Sequence, residues 1–335
     1  MSSRISSVTP QRAIEGGRIT VAGDGFATDG PSPPEVRIGD APARVVYASS
    51  ARIAVIVPSG LEAGASPIRV GGVSGETAFV EIAAPFASGL HQVDSPVFDR
   101  DGNLYVTYSG TRGQQVPVSI FRVRPNGTRE TFSSGIVNPT SMALGPEGRL
   151  YVSSRFEGTI YRVDADGSVA TFATDLGVAC GLAFAADGTL FVGDRSGTIF
   201  KLDRDGHAET FASVPASVAA FHLAVGPDAA LYVTGPTLAS YDALYRITPN
   251  GEVTAKYGRF GRPQGVTFDA RGTLFVVEAL AGSSGLYRMP PEGSSGSSGD
   301  PELVLSGPGL VGVAFDAHGN LVVTSNETAY RLPKT

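Results

Sequence analysis

A ten-residue phrase recurs six times between residues 97 and 323, and this repetition limits the fold more than any other feature. In each copy an apolar strand runs into a turn, which is followed by leucine, an aromatic or apolar residue, and valine. The copies occupy residues 97–106, 143–152, 183–192, 224–233, 267–276 and 314–323. Their turn positions, Gly102, Gly148, Gly188, Ala229, Gly272 and Gly319, are 40 to 47 residues apart. Units of this length with period-two alternation predict an all-β, six-bladed propeller.

A second hairpin follows the phrase in most repeats. Its first strands are residues 119–123, 159–163, 198–202, 243–247 and 285–289. Four of these strands lead into Asn-Gly or Asp-Gly pairs, which suit tight hairpin turns. The outer strands then end in Phe132, Phe172 or Phe211, so each blade is predicted to have four strands.

The last repeat ends at residues 329–332 without an outer strand. Upstream, Phe86–Leu90 aligns with Phe132–Ile136, so residues 83–88 are predicted to supply the missing strand. This arrangement pairs an edge that would otherwise be open. We therefore predict a propeller over residues 83–335, with residues 83–94 completing the last blade.

Residues 1–82 contain short alternating strands separated by glycine and proline, which predicts an immunoglobulin-like β-sandwich ahead of the propeller. The pattern comprises Pro10, Gly16-Gly17, Ile19, Val21, Gly23, Gly25-Phe26, Val36, Ile38-Gly39, Ile53, Val55, Val57-Pro58 and Gly64. In this order the residues resemble the TIG/IPT family of immunoglobulin-like modules. The resemblance implies a spacer, an interaction domain or a glycan-binding accessory.

Charge and composition limit the kinds of binding partner and the location that the sequence predicts. The formal net charge is −6 over 335 residues and no basic run occurs, which argues against nucleic acid. No apolar stretch is long enough for a transmembrane helix, and no export signal is evident, so a cytoplasmic location is the default expectation. Cys180 is the only cysteine, so no intramolecular disulfide forms. The Gly/Ser tract Gly293–Gly299 is predicted to be a flexible loop within the fifth repeat.

Alignment of the repeats places six residues at equivalent positions around one channel mouth. They are Asp94, Thr140, Cys180, Phe221, Gln264 and Val311. Loops between the second and third strands reach the same mouth and contribute Tyr108, Arg155, Asp194, Arg195 and Glu278. The predicted ligand-binding set is therefore Asp94, Tyr108, Thr140, Arg155, Asp194, Arg195, Phe221, Gln264 and Glu278. The charges of Asp194, Arg195 and Glu278 admit two interpretations, solvated surface groups or a grip on a polar ligand.

Over residues 84–335 the repeat resembles NHL-repeat and senescence-marker-protein/gluconolactonase propellers. In the gluconolactonase-like enzymes a divalent cation is held by one Glu, two Asn and one Asp, so the resemblance implies a possible Ca²⁺ or Zn²⁺ site. Asp94 stands where that family has its Glu and is the candidate metal ligand. Cys180, Phe221 and Gln264 occupy the other three positions, and a phenylalanine cannot ligate a hard cation.

His222 begins an inner strand one residue from the ring. It is interpreted as a packed, hydrogen-bonded core histidine, and a nucleophile–base pair with Cys180 is the other interpretation. Two functions follow for the whole chain. The first is a binding protein that takes a small polar molecule or a protein segment at the mouth, with the TIG module as accessory. The second is a gluconolactonase-like, metal-dependent hydrolase of a sugar lactone or related ester.

Overall fold

The computed structural model describes residues 3–30, 32–74, 77–291 and 300–332. The regular elements in these ranges are β-strands, and no helix that could span a membrane occurs among them. The chain divides into two compact units, Met1–Pro85 with Ala281–Gly309 and Phe86–Leu280 with Leu310–Thr335. The predicted flexible loop at Gly293–Gly299 lies outside the described residues.

The strands are numbered here in chain order. The first eight are β1 (Arg4–Thr9), β2 (Arg12–Ala13), β3 (Arg18–Asp24), β4 (Val36–Ile38), β5 (Ala41–Ala48), β6 (Arg52–Ile56), β7 (Gly64–Val70) and β8 (Ala78–Ile82). Then come β9 (Ala84–Ser88), β10 (Val97–Phe98), β11 (Leu104–Thr107), β12 (Ile120–Val123), β13 (Arg129–Ser133), β14 (Pro139–Leu144), β15 (Leu150–Ser154), β16 (Thr159–Val163) and β17 (Val169–Ala173). The next group is β18 (Ala179–Phe184), β19 (Leu190–Asp194), β20 (Thr198–Leu202), β21 (Ala208–Ser213), β22 (His222–Val225), β23 (Leu231–Thr234), β24 (Asp242–Ile247) and β25 (Val253–Phe260). The last are β26 (Pro263–Phe268), β27 (Leu274–Glu278), β28 (Gly285–Arg288), β29 (Glu302–Ser306), β30 (Leu310–Phe315), β31 (Leu321–Ser325) and β32 (Thr328–Leu332).

The first unit holds the strands before residue 83 together with β28 and β29. Its strands neighbour one another in the order β1-β3-β6-β5-β4-β7-β8-β2-β29-β28. Alternate residues of β3 are buried, and Ile19 and Val21 join Phe26, Ile53 and Val55 in one apolar core. This alternation is the period-two pattern of the sequence, which buries one face of each strand.

Five separate four-stranded sheets form the blades in the described part of the chain. They are β10–β13, β14–β17, β18–β21, β22–β25, and β30–β32 with β9. The structure therefore shows five blades, and the expectation of six is corrected to that number. The four strands of the fifth repeat are divided, with β26 and β27 in the second unit and β28 and β29 in the first. There β29 pairs in parallel with β2 of the N-terminal module, so this repeat does not end as a separate sheet.

The outer position of the last blade is filled by β9, which lies beside β32 in the sheet. Phe86 of this strand packs with the cluster that contains Ala87, Leu104 and Ala329. The Arg331 guanidinium lies 4.9 Å from the centroid of the Phe86 ring. A strand from the start of the propeller segment therefore pairs with the last strand of the chain, which removes an open sheet edge.

The turn inside each ten-residue phrase is held by an acidic side chain in several blades. Asp99 Oδ1 accepts the backbone N–H groups of Asp101 and Asn103, both at 2.9 Å. Asp316 holds the equivalent turn of the last blade in the same way. Glycine follows in most copies because the position has a positive φ, and Ala229 takes it with φ 59°.

Candidate functional site at the propeller channel

The pairing of the inner strands places the six predicted ring residues at equivalent positions of their repeats. In β18, β22 and β30 the residues Leu182, Leu223 and Val313 pair with the valine of each phrase. Two positions earlier the chain has Cys180, Phe221 and Val311, and the same count gives Thr140 and Gln264 in β14 and β26. In blade one this position is Asp94. Each described repeat thus contributes one ring residue, either in its inner strand or just before it.

The next position along the inner strands is small in every repeat except blade four. It is occupied by Ser95, Ser141, Gly181, His222, Gly265 and Gly312. A Cβ added at Gly265 would lie 2.9 Å from Gly312 Cα and from Ser95 Oγ. Because its counterparts are this small, the imidazole of His222 has room to reach residues of other repeats.

His222 links two ring residues across the channel. Its Nδ1 lies 2.5 Å from Asp94 Oδ1, and its Nε2 lies 3.1 Å from Gln264 Oε1. His222 is 0% exposed, Asp94 5% and Gln264 8%. Both ring nitrogens thus have a polar partner, one on the carboxylate of Asp94 and one on the amide of Gln264. These three residues are called the channel network below.

Neighbouring polar groups hold the channel network in place. The Gln92 side-chain amide donates to the Asp94 carbonyl oxygen at 2.5 Å, and the Ser95 N–H donates to Asp94 Oδ1 at 2.6 Å. The Thr234 hydroxyl donates to the Gln264 carbonyl oxygen at 2.5 Å. His222 is therefore packed and hydrogen-bonded, which is the first of the two interpretations given above.

The nucleophile–base pair of Cys180 and His222 does not form. The Cys180 thiol donates instead to the Val178 carbonyl oxygen at 3.1 Å. Burial raises the pKa of the Cys180 thiol to about 12. A thiol that keeps its proton is neither a nucleophile nor a metal ligand at neutral pH.

The ring residues do not fit the hard-cation site of the gluconolactonase-like enzymes. Asp94 is the one carboxylate among them, and its Oδ1 already contacts His222 and Ser95. Cys180 is protonated and Phe221 is apolar, so the set is far from the six to eight oxygens that Ca²⁺ takes. Within the described ranges, Asp203, Asp205 and His207 do bring ligand atoms within 4.8 Å of one another. They form the exposed turn between β20 and β21, where Asp203 Oδ1 accepts two backbone N–H groups.

The carboxylates of Asp194 and Glu278 accept hydrogen bonds from nearby loop groups. Asp194 Oδ1 accepts the Val178 N–H at 2.7 Å, and its other oxygen accepts the Ser196 hydroxyl. Glu278 accepts three backbone N–H groups, from Gly261, Arg262 and Leu280, at 2.6 to 2.8 Å. Both side chains are buried. Neither is a solvated surface charge, and their oxygens are already occupied by the loops they hold.

Arginines from three consecutive blades gather at the mouth. Arg112, Arg155 and Arg195 come from the loops after β11, β15 and β19, and they are called the arginine cluster below. Arg155 is half-buried, and the other two are exposed. No hydrogen bond or ion pair of these three guanidinium groups occurs within the described residues. Burial lowers the pKa of Arg155, and the charges of Arg195 and Arg112 lower it further.

An imidazole and a phenol lie beside the arginine cluster. Burial and the Arg155 charge lower the pKa of His91, while Glu327 acts in the opposite direction. The His91 ring meets Tyr108 edge to face at 6.1 Å between centroids. Of the predicted binding residues, Tyr108, Arg155 and Arg195 thus lie at the mouth with free polar groups. Thr140 and Phe221 are buried, and the Thr140 hydroxyl donates to the Asn138 carbonyl oxygen at 3.0 Å.

Asn138 fixes the loop that carries Arg112. Its side-chain amide donates to the Ser109 and Thr111 carbonyl oxygens at 2.6 and 2.7 Å. Its Oδ1 accepts the Gly113 N–H at 2.6 Å. Asn138 is buried with φ 46°, a conformation that asparagine tolerates better than most residues. Sequence reasoning missed Asn138, Arg112 and His91 as parts of the site, although Arg112 falls in a loop expected to reach the mouth.

A cavity of about 340 Å³ follows the channel beyond Asp94. It is lined by inner-strand residues that come after the ring in each repeat, including Phe98, Phe268 and Phe315. Asp94 is the one charged residue of its lining. The channel network therefore lies between the mouth loops and a largely apolar cavity.

Comparison with known proteins supports part of this organisation. Residues 3–85 match the family model described as IPT/TIG domain. The N-terminal module is a TIG domain. This match confirms the resemblance of that segment. A search of the curated proteins finds no match for the chain.

Several solved structures are similar to this chain in fold. An auxiliary nutrient binding protein from Bacteroides ovatus is 15% identical, with a TM-score of 0.56, and the match covers 100% of this chain and 99% of that one. Virginiamycin B lyase from Staphylococcus aureus is 16% identical, with a TM-score of 0.53, over 95% and 99% of the two chains. A structure named "putative gluconolactonase" is 17% identical, with a TM-score of 0.60, over 75% and 91%. At these identities the likeness shows a β-propeller fold alone. The NHL-repeat resemblance and a hydrolase activity stay predictions.

Proposed function

We propose that this chain is a binding protein that takes a small polar molecule at the propeller mouth. One observation carries the proposal. Tyr108, Arg155 and Arg195 lie in the loops after β11, β15 and β19, the charge of Arg195 acts on Arg155, and no hydrogen bond of these side chains to the protein occurs within the described residues. Side chains from different blades that meet at one place are what a small-ligand site requires. The finer architecture of the N-terminal module belongs to the same proposal: an immunoglobulin-like sandwich at residues 1–82.

Other features support binding over catalysis. The Cys180 thiol is protonated, and the imidazole nitrogens of His222 are both engaged by oxygens. Asp194 and Glu278 hold backbone amides, so they are not placed to transfer protons to a substrate. Two of the structurally similar proteins are named auxiliary nutrient binding proteins. A binding role with the TIG domain as an accessory is consistent with those names.

A thermal-shift screen of sugars, sugar acids, sugar phosphates and amino acids tests the proposal. Hits are titrated against a matched pair of variants, Tyr108→Leu at the mouth and Phe268→Leu at the cavity. We expect Tyr108→Leu to weaken binding and Phe268→Leu to leave the affinity unchanged. The reverse pattern would place the ligand in the cavity, and the absence of any hit would contradict a small-molecule role.

A gluconolactonase-like hydrolase is the second candidate. It is favoured by Asp94, which places a carboxylate on the channel ring, and by the neighbour whose name mentions a gluconolactonase. The proposal predicts hydrolysis of glucono-δ-lactone that stops with EDTA, together with Ca²⁺ or Zn²⁺ in protein purified without chelator. Since the ring residues lack the oxygen ligands such a cation needs, we expect neither result.

A further inference from the structure

We propose that the ligand carries an anionic group, a carboxylate or a phosphate, and that the arginine cluster binds it with Arg155 at the centre. This inference rests on the proposed function, because it names the chemistry of the ligand expected at the same mouth. It adds a residue outside the predicted set, Arg112, and assigns the recognition to charge.

The loop backbones that carry the three arginines are held by hydrogen bonds. Arg195 follows Asp194, whose carboxylate holds the Val178 N–H, and the Arg195 N–H donates to the Val178 carbonyl oxygen at 3.1 Å. Arg155 follows Ser154, whose hydroxyl donates to the Val137 carbonyl oxygen at 2.6 Å. The Arg112 loop is held by the three hydrogen bonds of Asn138. The backbone of each arginine is thus fixed by a buried polar side chain.

Within the described residues no ion pair joins the arginines of the cluster to the carboxylates nearby. Asp194 is occupied by a backbone amide and by Ser196. Glu157, in the same loop as Arg155, accepts the Tyr161 hydroxyl at 2.9 Å. The chain as a whole has a formal charge of −6, so this concentration of unpaired arginines stands against the overall charge.

An anionic ligand fits the positive charge of the arginine cluster. A half-buried guanidinium beside two others is destabilised by desolvation and by repulsion between like charges. A carboxylate or phosphate removes both costs, and its oxygens match the planar donor fork of arginine. A metal cation would be repelled. Three arginines around a channel are also a smaller charge than a nucleic-acid backbone requires.

Calorimetric titration with four probes tests the inference. The probes are D-gluconate, glucose 6-phosphate, inorganic phosphate and neutral D-glucose. We expect at least one anion to bind more tightly than glucose, with an affinity that falls as salt rises. Arg155→Met should weaken this binding roughly 10- to 100-fold, as expected for lost charged hydrogen bonds. Arg155→Lys should weaken it less, because the charge is kept and the fork is lost. A preference for gluconate or for the phosphates identifies the anionic group.

The matched control is Arg271→Met. Arg271 is an exposed arginine in the turn between β26 and β27, and its replacement changes the net charge by the same amount as Arg155→Met. We expect no change in affinity, and a loss equal to that of Arg155→Met would overturn the inference. Equal midpoints of thermal unfolding show that the variants are folded. Binding of glucose that is as tight as the anions and is unaffected by Arg155→Met would overturn the anionic assignment alone, since Tyr108→Leu would still report a mouth ligand. If no compound binds, the proposed function fails as well.

Discussion

The imidazole of His222 donates to the carboxylate of Asp94, 128 residues earlier in the chain, at 2.5 Å within a buried part of the channel. The contact joins the inner strand of one blade to the segment that leads into another. Both groups would be costly to bury alone, because a buried polar group without a hydrogen-bond partner keeps its desolvation penalty. The pair is therefore a structural link between blades.

Asp94→Ala should destabilise the propeller by about 1–3 kcal/mol, because it leaves the buried imidazole without its hydrogen-bond partner. Denaturant unfolding of Asp94→Ala, His222→Ala and the double variant measures the coupling. The two single losses should sum to more than the double loss, since each single variant strands the other group. Additive losses would mean that the two side chains do not act as a pair.

The sequence predicts the repeat strands, the edge strand β9 and the alignment of the ring, because these depend on local periodicity. The number of separate blades does not follow from local periodicity. Five separate sheets form because β29 pairs with β2, and a contact between residues 13 and 306 leaves no trace in a repeat pattern. The hydrogen bonds of the channel network could not be predicted from local sequence patterns either. His222 was recognised as a packed histidine, but its partners lie 128 and 42 residues away.

The loop carboxylates show the same limit. Glu278 ends a strand at the position where Asp194 ends another, which is why the sequence predicts that both lie near the mouth. Whether an acidic side chain there faces a ligand or caps its own loop depends on the path of the backbone, which residue types alone do not specify. Arg112 cannot be predicted as a site residue, because a lone arginine in a loop has no distinguishing spacing.

Glu278→Gln should lower the stability of the propeller by about 1–3 kcal/mol. The carboxylate accepts three backbone N–H groups through its two oxygens, and the NH₂ group that replaces one oxygen cannot accept, so at least one N–H group loses its partner. Glu157→Gln is the matched control, because Glu157 is exposed and accepts one tyrosine hydroxyl. Urea titration should show a clear loss for the first variant and a change below about 0.5 kcal/mol for the second.

Ala229→Gly should stabilise the propeller by about 1 kcal/mol. Ala229 has φ 59°, in the left-handed region, and glycine occupies this turn position in the other five phrases. An L-residue with a Cβ is strained there, whereas glycine is not. The reciprocal change, Gly188→Ala, should cost a similar amount at a turn where φ is 93°. A destabilised Ala229→Gly protein in urea titrations would contradict this account.

Cys180 should be inert to thiol reagents in the folded protein. Burial raises its pKa to about 12, so the reactive thiolate is scarce at pH 8. A disulfide reagent should label it only after unfolding. The pKa of the thiol is 9.0 in the unfolded chain and about 12 in the folded protein. Between these values the unfolded state binds fewer protons than the folded state, so the free energy of unfolding falls as pH rises. Cys180→Ala should fall less over the same range, and equal pH profiles would contradict the assignment.

Phe86→Ala should destabilise the propeller by about 1–3 kcal/mol if β9 is a full member of the last blade. Phe86 packs with the core cluster of that blade and lies under the Arg331 guanidinium. Phe132 is the matched residue of blade one, where its ring lies 4.8 Å from Tyr105 and 5.3 Å from the Arg122 guanidinium. Phe132→Ala should therefore cost a similar amount in urea titrations. A loss near zero for Phe86→Ala beside a large loss for Phe132→Ala would show that β9 adds an edge without stabilising the blade.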